Sequence, residues 1–100
     1  MVKLIVLYGH PQDPAGFEAY YAGTHMPLAE LIPNVARVET AKAVASPDGG
    51  QPPYYRTAEL WFEDLDTLNE ALASEPGQAA AADIANFATG GATLFTAELD

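Results

Sequence analysis

Cysteine is absent from this 100-residue chain, which excludes a disulfide framework, a thiolate nucleophile and a cysteine-based zinc site. Basic residues are scarce: four Lys and Arg against fourteen Asp and Glu leave a net charge of −10. The four cations, Lys3, Arg37, Lys42 and Arg56, are scattered. A phosphate-binding surface needs them clustered, so nucleic acid and anionic membranes are poor partners. A strongly anionic substrate would be repelled too, which points to neutral or weakly polar ligands. Long hydrophobic runs are also missing. The N-terminal stretch is apolar for only about seven residues before Gly9-His10-Pro11, too short for a signal-peptide core or a membrane span. The expected location is the cytoplasm, and the acidity serves solubility.

What is present suffices for one folded domain over residues 1–100. Hydrophobic residues make up 49% of the chain, enough to build a core. Residues 2–9, with Leu4, Ile5, Val6 and Leu7, read as a strand stopped by Gly9 and Pro11. Asp13-Pro14 starts a helix, the carboxylate at the N-cap and the proline in the first turn. Phe17, Tyr20, Tyr21, Thr24 and Leu28 continue it at helical spacing. Pro27 predicts an interruption, with one helix to about Gly23, a break at Thr24-His25-Met26 and a short helical piece to Ile32. Pro33-Asn34 turns into a strand over 35–45, the stretch 46–53 is a loop by composition, and Tyr54 to Phe62 is a third strand. The run 63–73 is acidic first and amphipathic after, as a helix start favours. Ser74-Glu75-Pro76-Gly77 marks a break, Ala79 to Phe87 a further helix, and Ala92 to Leu99 the last strand. The order β-α-β-β-α-β is the ferredoxin-like α+β pattern, an antiparallel sheet with helices on one face.

A sheet wet on one face should alternate strictly between apolar and polar residues, and this one does not. With Leu4, Val6, Tyr8, Ala58, Leu60 and Phe62 under the helices, Ile5, Leu7, Tyr55 and Trp61 are left without cover. Contiguous apolar patches of this kind mark an interface or a ligand groove, so a homodimer is expected, with this open face as the wall of a cavity.

The segment carrying chemistry is Phe17-Glu18-Ala19-Tyr20-Tyr21-Ala22-Gly23-Thr24-His25-Met26-Pro27-Leu28. His25 follows Tyr21 by four residues and Phe17 by eight, on the same inward helical face. Three roles are open to it: an acid/base or hydrogen-bond donor with a ring near neutral pKa, a structural cap on the broken helix, or a metal ligand. The last lacks a second ligand, since His10 lies in a Gly-His-Pro turn without ligand spacing. Glu59 shares a strand face with Thr57 and Trp61. It is either a desolvated cavity carboxylate paired with His25, or an ion-pair partner of Arg37, Arg56 or Lys42. Tyr20, Tyr21, Trp61 and Phe87 suit an aromatic-lined pocket or plain core.

These motifs, in this order, resemble the EthD-like family of dimeric α+β barrel proteins. The resemblance rests on Phe17, the Tyr20-Tyr21 pair, His25-Met26-Pro27-Leu28 and Pro33-Asn34. The runs Ala58-Glu59-Leu60-Trp61-Phe62-Glu63-Asp64-Leu65 and Ala81-Ala82-Asp83-Ile84-Ala85-Asn86-Phe87 extend it. Two positions depart from the pattern: Ala22-Gly23 stands where a basic residue is common, and Asn34 replaces glycine in the turn.

The resemblance implies a homodimer whose sheets pack face to face, with a cavity for a small hydrophobic or aromatic molecule under each sheet. It does not imply one reaction: relatives with this barrel include cofactor-free oxygenases, isomerases and decarboxylase or dehydratase-like enzymes, and the expected reading here is an enzyme of that kind without cofactor or metal. His25 and Glu59 are then the expected catalytic pair, and Tyr20, Tyr21, Trp61 and Phe87 the ligand-binding aromatics. The alternative is a non-catalytic binding or accessory protein of a degradation or biosynthesis pathway. Fold likeness alone does not choose between them.

Overall fold

The computed structural model describes residues 1–100. Four strands, β1 (Val2–Tyr8), β2 (Arg37–Lys42), β3 (Arg56–Phe62) and β4 (Ala92–Glu98), form one sheet in the order β2-β3-β1-β4. Every neighbouring pair is antiparallel. The helical segments follow β1 and β3, which gives the expected ferredoxin-like α+β fold. No helix is long and apolar enough to cross a membrane.

Period-two geometry divides the sheet as expected. Val2, Leu4, Val6 and Tyr8 of β1 and Ala58, Leu60 and Phe62 of β3 are buried against the helices. Lys3, Ile5, Leu7, Glu59 and Trp61 point the other way and are half-buried. Register places Ile5 between Glu59 and Phe95, and Phe95 is 47% exposed. Trp61 lies between two cations, Lys3 at 5.1 Å and Arg37 at 5.2 Å from its ring centre.

Tyr55 departs from its expected place on the open face. It precedes β3, and its ring is buried edge-on against Phe17 at 5.1 Å. Covering an aromatic ring of this size outweighs continuing the strand alternation through it. Strand β2 is also shorter than expected, and all its residues are exposed.

The first helical arm is where sequence and structure differ most. Helix α1 (Pro14–Tyr20) opens on Asp13, whose side chain accepts from the Gly16 N–H at 3.1 Å. No break follows. The chain runs through a π-helical turn, Tyr21–His25, into α2 (Met26–Ala29). The Met26 N–H reaches back five residues to the Tyr21 carbonyl, which widens the turn. Pro27 then falls in the first turn of α2, where its missing N–H is not needed. Asn34, in the turn that follows, adopts the left-handed conformation with φ 62°.

Helix α3 (Leu65–Ala73) starts on Asp64, which accepts from the Thr67 N–H at 2.8 Å. Helix α4 (Glu75–Asp83) follows after one residue, because Ser74 ends the first helix and caps the second. Its hydroxyl accepts from the Gly77 N–H at 3.2 Å. The predicted break at 74–77 is therefore a sharp corner between two helices, and α4 starts earlier than Ala79.

Candidate functional site

The π turn sets the site. It holds Tyr21 and His25 on the inner side of the arm, 4% and 6% exposed, with their rings stacked at 5.6 Å. Opposite them, α4 ends on Asp83, itself 7% exposed. Nδ1 of His25 lies 3.0 Å from Oδ2 of Asp83. The other carboxylate oxygen accepts from the Tyr20 hydroxyl at 2.6 Å and from the Asn86 side-chain amide at 3.0 Å. Phe87 closes over the pair, its ring 4.7 Å from the imidazole and stacked on Tyr20.

Burial pushes the Asp83 carboxyl upward, but the hydrogen bonds from Tyr20, Asn86 and His25 outweigh it and hold the group below its ordinary range. Asp83 is therefore ionised at neutral pH and only accepts. It follows that Nδ1 of His25 carries a proton, and in the neutral ring the lone pair sits on Nε2. The Tyr20 hydroxyl is held protonated, above its ordinary value, chiefly by its bond to Asp83.

A cavity of about 210 Å³ lies between the sheet and both helical arms. Its walls are overwhelmingly apolar, with Leu4, Val6 and Leu60 on the sheet side and Met26, Ala80 and Ile84 on the helical side. Its polar lining residues are His25, Tyr8, Tyr21, Thr40 and Glu30, while Asp83 does not line it. One edge of the imidazole is thus fixed by a carboxylate, and the ring forms part of the cavity wall. An imidazole held this way can take a proton from a bound molecule.

His25 and Tyr21 line the cavity. Tyr20 and Phe87 pack about the Asp83–His25 pair without lining it. Trp61 and Glu59 lie on the opposite face of the sheet. The expected Glu59–His25 pair does not form: Glu59 alternates away from the cavity-lining Ala58 and Leu60 and takes Lys3 at 3.2 Å. The three cations weighed as its partners lie elsewhere, Arg37 with Glu39 at 2.8 Å, Arg56 with Glu18, and Lys42 over the Tyr55 ring at 6.0 Å. The cavity also lies on the helix side of the sheet and not along its open face. His10 is exposed in its turn, and its Nε2 meets the Pro52 carbonyl at 2.7 Å, pinning the 46–53 loop.

Asp83 is the residue that the sequence reading missed. Its signal is a lone carboxylate at helical spacing from Ala80 and Phe87, on the buried face of an alanine-rich helix.

The model of the EthD domain matches residues 9–91, a span that includes both His25 and Asp83. This chain belongs to the EthD family. An uncharacterized 11.0 kDa protein of Rhodococcus erythropolis, from the thcB-thcC intergenic region, is 46% identical over 99 residues, covering 98% of this chain and 95% of its own. The crystal structure of an EthD family protein from Bacillus halodurans superposes with a TM-score of 0.93 at 34% identity, over 100% of this chain and 99% of that one. A dimeric ferredoxin-like protein of Thermobifida fusca, 16% identical, shares the fold with a TM-score of 0.72 over 98% and 90% of the two chains. In this EthD domain Ala22-Gly23 follows the aromatic pair, and nothing lies within 4 Å of the place a Cβ on Gly23 would take. The partner of His25 is thus an anion on α4, with no cation from its own turn beside it.

Proposed function

We propose that this EthD domain binds a small, neutral, mostly apolar molecule in the cavity between sheet and helices and removes a proton from it with Nε2 of His25. The observation that carries this reading is the buried Asp83–His25 pair at the wall of an otherwise apolar cavity. A stability role alone is a weak reason to bury such a pair, since apolar residues of similar volume do as well. A cavity of about 210 Å³ suits a molecule of one or two rings, as a cavity of about 150 Å³ already holds benzene. No step in this reading draws on a cofactor. Asp83 orients the imidazole and offsets the charge it gains. Tyr20 and Asn86 hold Asp83 in place.

The test is turnover of phenolic and lactone compounds of that size by wild type and His25→Ala. Wild type should turn over at least one class, and the variant should lose about 10²-fold or more in rate. Equal rates in both would remove His25 from the chemistry. Uptake of a ligand with no turnover by either protein would make the domain a carrier.

Two copies would pack open face to open face. The apolar side chains Ile5, Leu7, Trp61 and Phe95 lie together there, supported from within by the Lys3–Glu59 pair. Light scattering at micromolar concentration should give twice the chain mass of 10.6 kDa; a value near 10.6 kDa would rule the dimer out.

A further inference from the structure

The Tyr21 hydroxyl is buried and has no hydrogen-bond partner. A buried hydroxyl left this way is destabilising, so its retention needs a reason. Tyr21 lines the cavity, and its ring stacks on His25. Tyr8, also a lining residue, meets it edge-on with ring centres 5.6 Å apart. The Tyr8 hydroxyl is directed at that of Tyr21 closely enough to act on its pKa as a weak donor, yet no hydrogen bond of normal geometry joins them. Burial, first among the causes, raises the pKa of both, so both remain protonated donors at neutral pH. The Arg56 guanidinium, held by Glu18, lies 4.9 Å from the centre of the Tyr21 ring. It acts against burial and strengthens the phenol as a donor without ionising it.

We propose that the Tyr21 hydroxyl, with Tyr8 beside it, receives a carbonyl oxygen of the bound molecule, and that the substrate is a small ketone or ester with an acidic C–H next to that carbonyl. This rests on the reading of His25 as the base. In the step, the C–H bond breaks, its proton forms an N–H bond at Nε2, and its electron pair becomes the carbon–carbon double bond of an enolate. The carbonyl π pair moves to oxygen, where Tyr21 donates to it. Neutral imidazole and neutral ketone become imidazolium and enolate, so charge balances with no other reactant. Asp83 faces the imidazolium, and Tyr21 faces the enolate oxygen. Each charge thus meets a group already in place, which is where electrostatic catalysis gains most.

The probe is 2-tetralone in D2O, with loss of the α-proton signal followed by NMR for wild type, His25→Ala, Tyr21→Phe and Tyr8→Phe. Wild type should accelerate exchange above the buffer rate, and His25→Ala should return it to that rate. Tyr21→Phe should lose about 10²- to 10³-fold, the range for one oxyanion donor, with a smaller loss in Tyr8→Phe. Tyr21→Phe should also melt at or above the wild-type temperature, because it removes a polar atom without a partner.

Exchange by Tyr21→Phe at the wild-type rate, with His25→Ala inactive, would overturn the carbonyl site and leave the base in place. Melting of Tyr21→Phe well below wild type would overturn it as well, by showing that the hydroxyl is bonded. Wild type that turns over a phenol but leaves 2-tetralone unexchanged would reject the substrate class alone. Wild type inert toward every compound would reject both readings.

Discussion

Asp83→Asn should lower the turnover number by about 10³- to 10⁴-fold, the effect of the same change at a comparable His–Asp pair, while ligand affinity stays within a few-fold. The two side chains have nearly the same shape, so Tyr20, Phe87 and the cavity wall keep their places. What changes is the proton. Asparagine turns either its carbonyl toward Nδ1 and its amide toward Tyr20, or the reverse, and cannot accept from both as the carboxylate does. With an N–H facing Nδ1, the imidazole proton moves to Nε2, and the lone pair needed at the cavity is gone. Single-turnover rates beside equilibrium binding separate the two effects. A variant that binds normally and turns over normally would show that Asp83 does not set the tautomer.

The same variant has a signature in acid. The folded-state pKa of Asp83 is depressed, so its ionisation contributes stability that is complete above the ordinary carboxylate pKa of about 3.9. That contribution is lost as pH falls through the lower, folded value. Wild type should therefore lose more stability than Asp83→Asn across that acid window, and equal slopes would place the carboxylate outside the network.

The order of elements along the chain, the buried face of β1 and the helix start at Asp13 were legible because each rests on local rules, period two, period 3.6 and capping. His25 was legible for the same reason, lying four residues from Tyr21 on one arm. Its partner was not. Asp83 is 58 residues away, and pairing over that distance depends on how α4 docks, which no local pattern encodes. Glu59 looked the better partner on the condition that its strand face, shared with Thr57 and Trp61, lines the cavity. The cavity lies on the helix side instead, and Glu59 pairs with Lys3 of the adjacent strand. The π turn was hidden by Pro27, since a proline predicts a break wherever the chain cannot widen a turn to absorb it.

Gly77→Ala should melt roughly 10 °C or more below wild type, and it should take the chemistry with it. Helix propensity alone argues the opposite, because alanine is better than glycine in a helix by about 1 kcal/mol. Packing decides the sign. A Cβ at Gly77 would stand 2.1 Å from the Ala71 carbonyl oxygen and 2.8 Å from the Leu72 Cα. Both are backbone atoms of α3 and cannot rotate away. The two helices would have to separate, opening space beside Ala71 and Ala80, which are 1% and 5% exposed. Overpacking of this kind costs about 1–3 kcal/mol and occasionally more. For a domain of this length each kcal/mol is worth roughly 4–8 °C in melting temperature. The shift would reach the site, because α4 begins two residues before Gly77 and ends on Asp83. Lengthening the 3.0 Å contact with His25 by an ångström should cost about 10²-fold in rate. Gly23→Ala in the π turn is the matched control. Its Cβ meets nothing within 4 Å, so there the propensity gain stands alone, and that variant should melt at or slightly above wild type. Thermal melts of the two variants side by side read the difference. Equal melting temperatures would mean that the α3–α4 corner tolerates the extra carbon and does not hold Asp83 in register with His25.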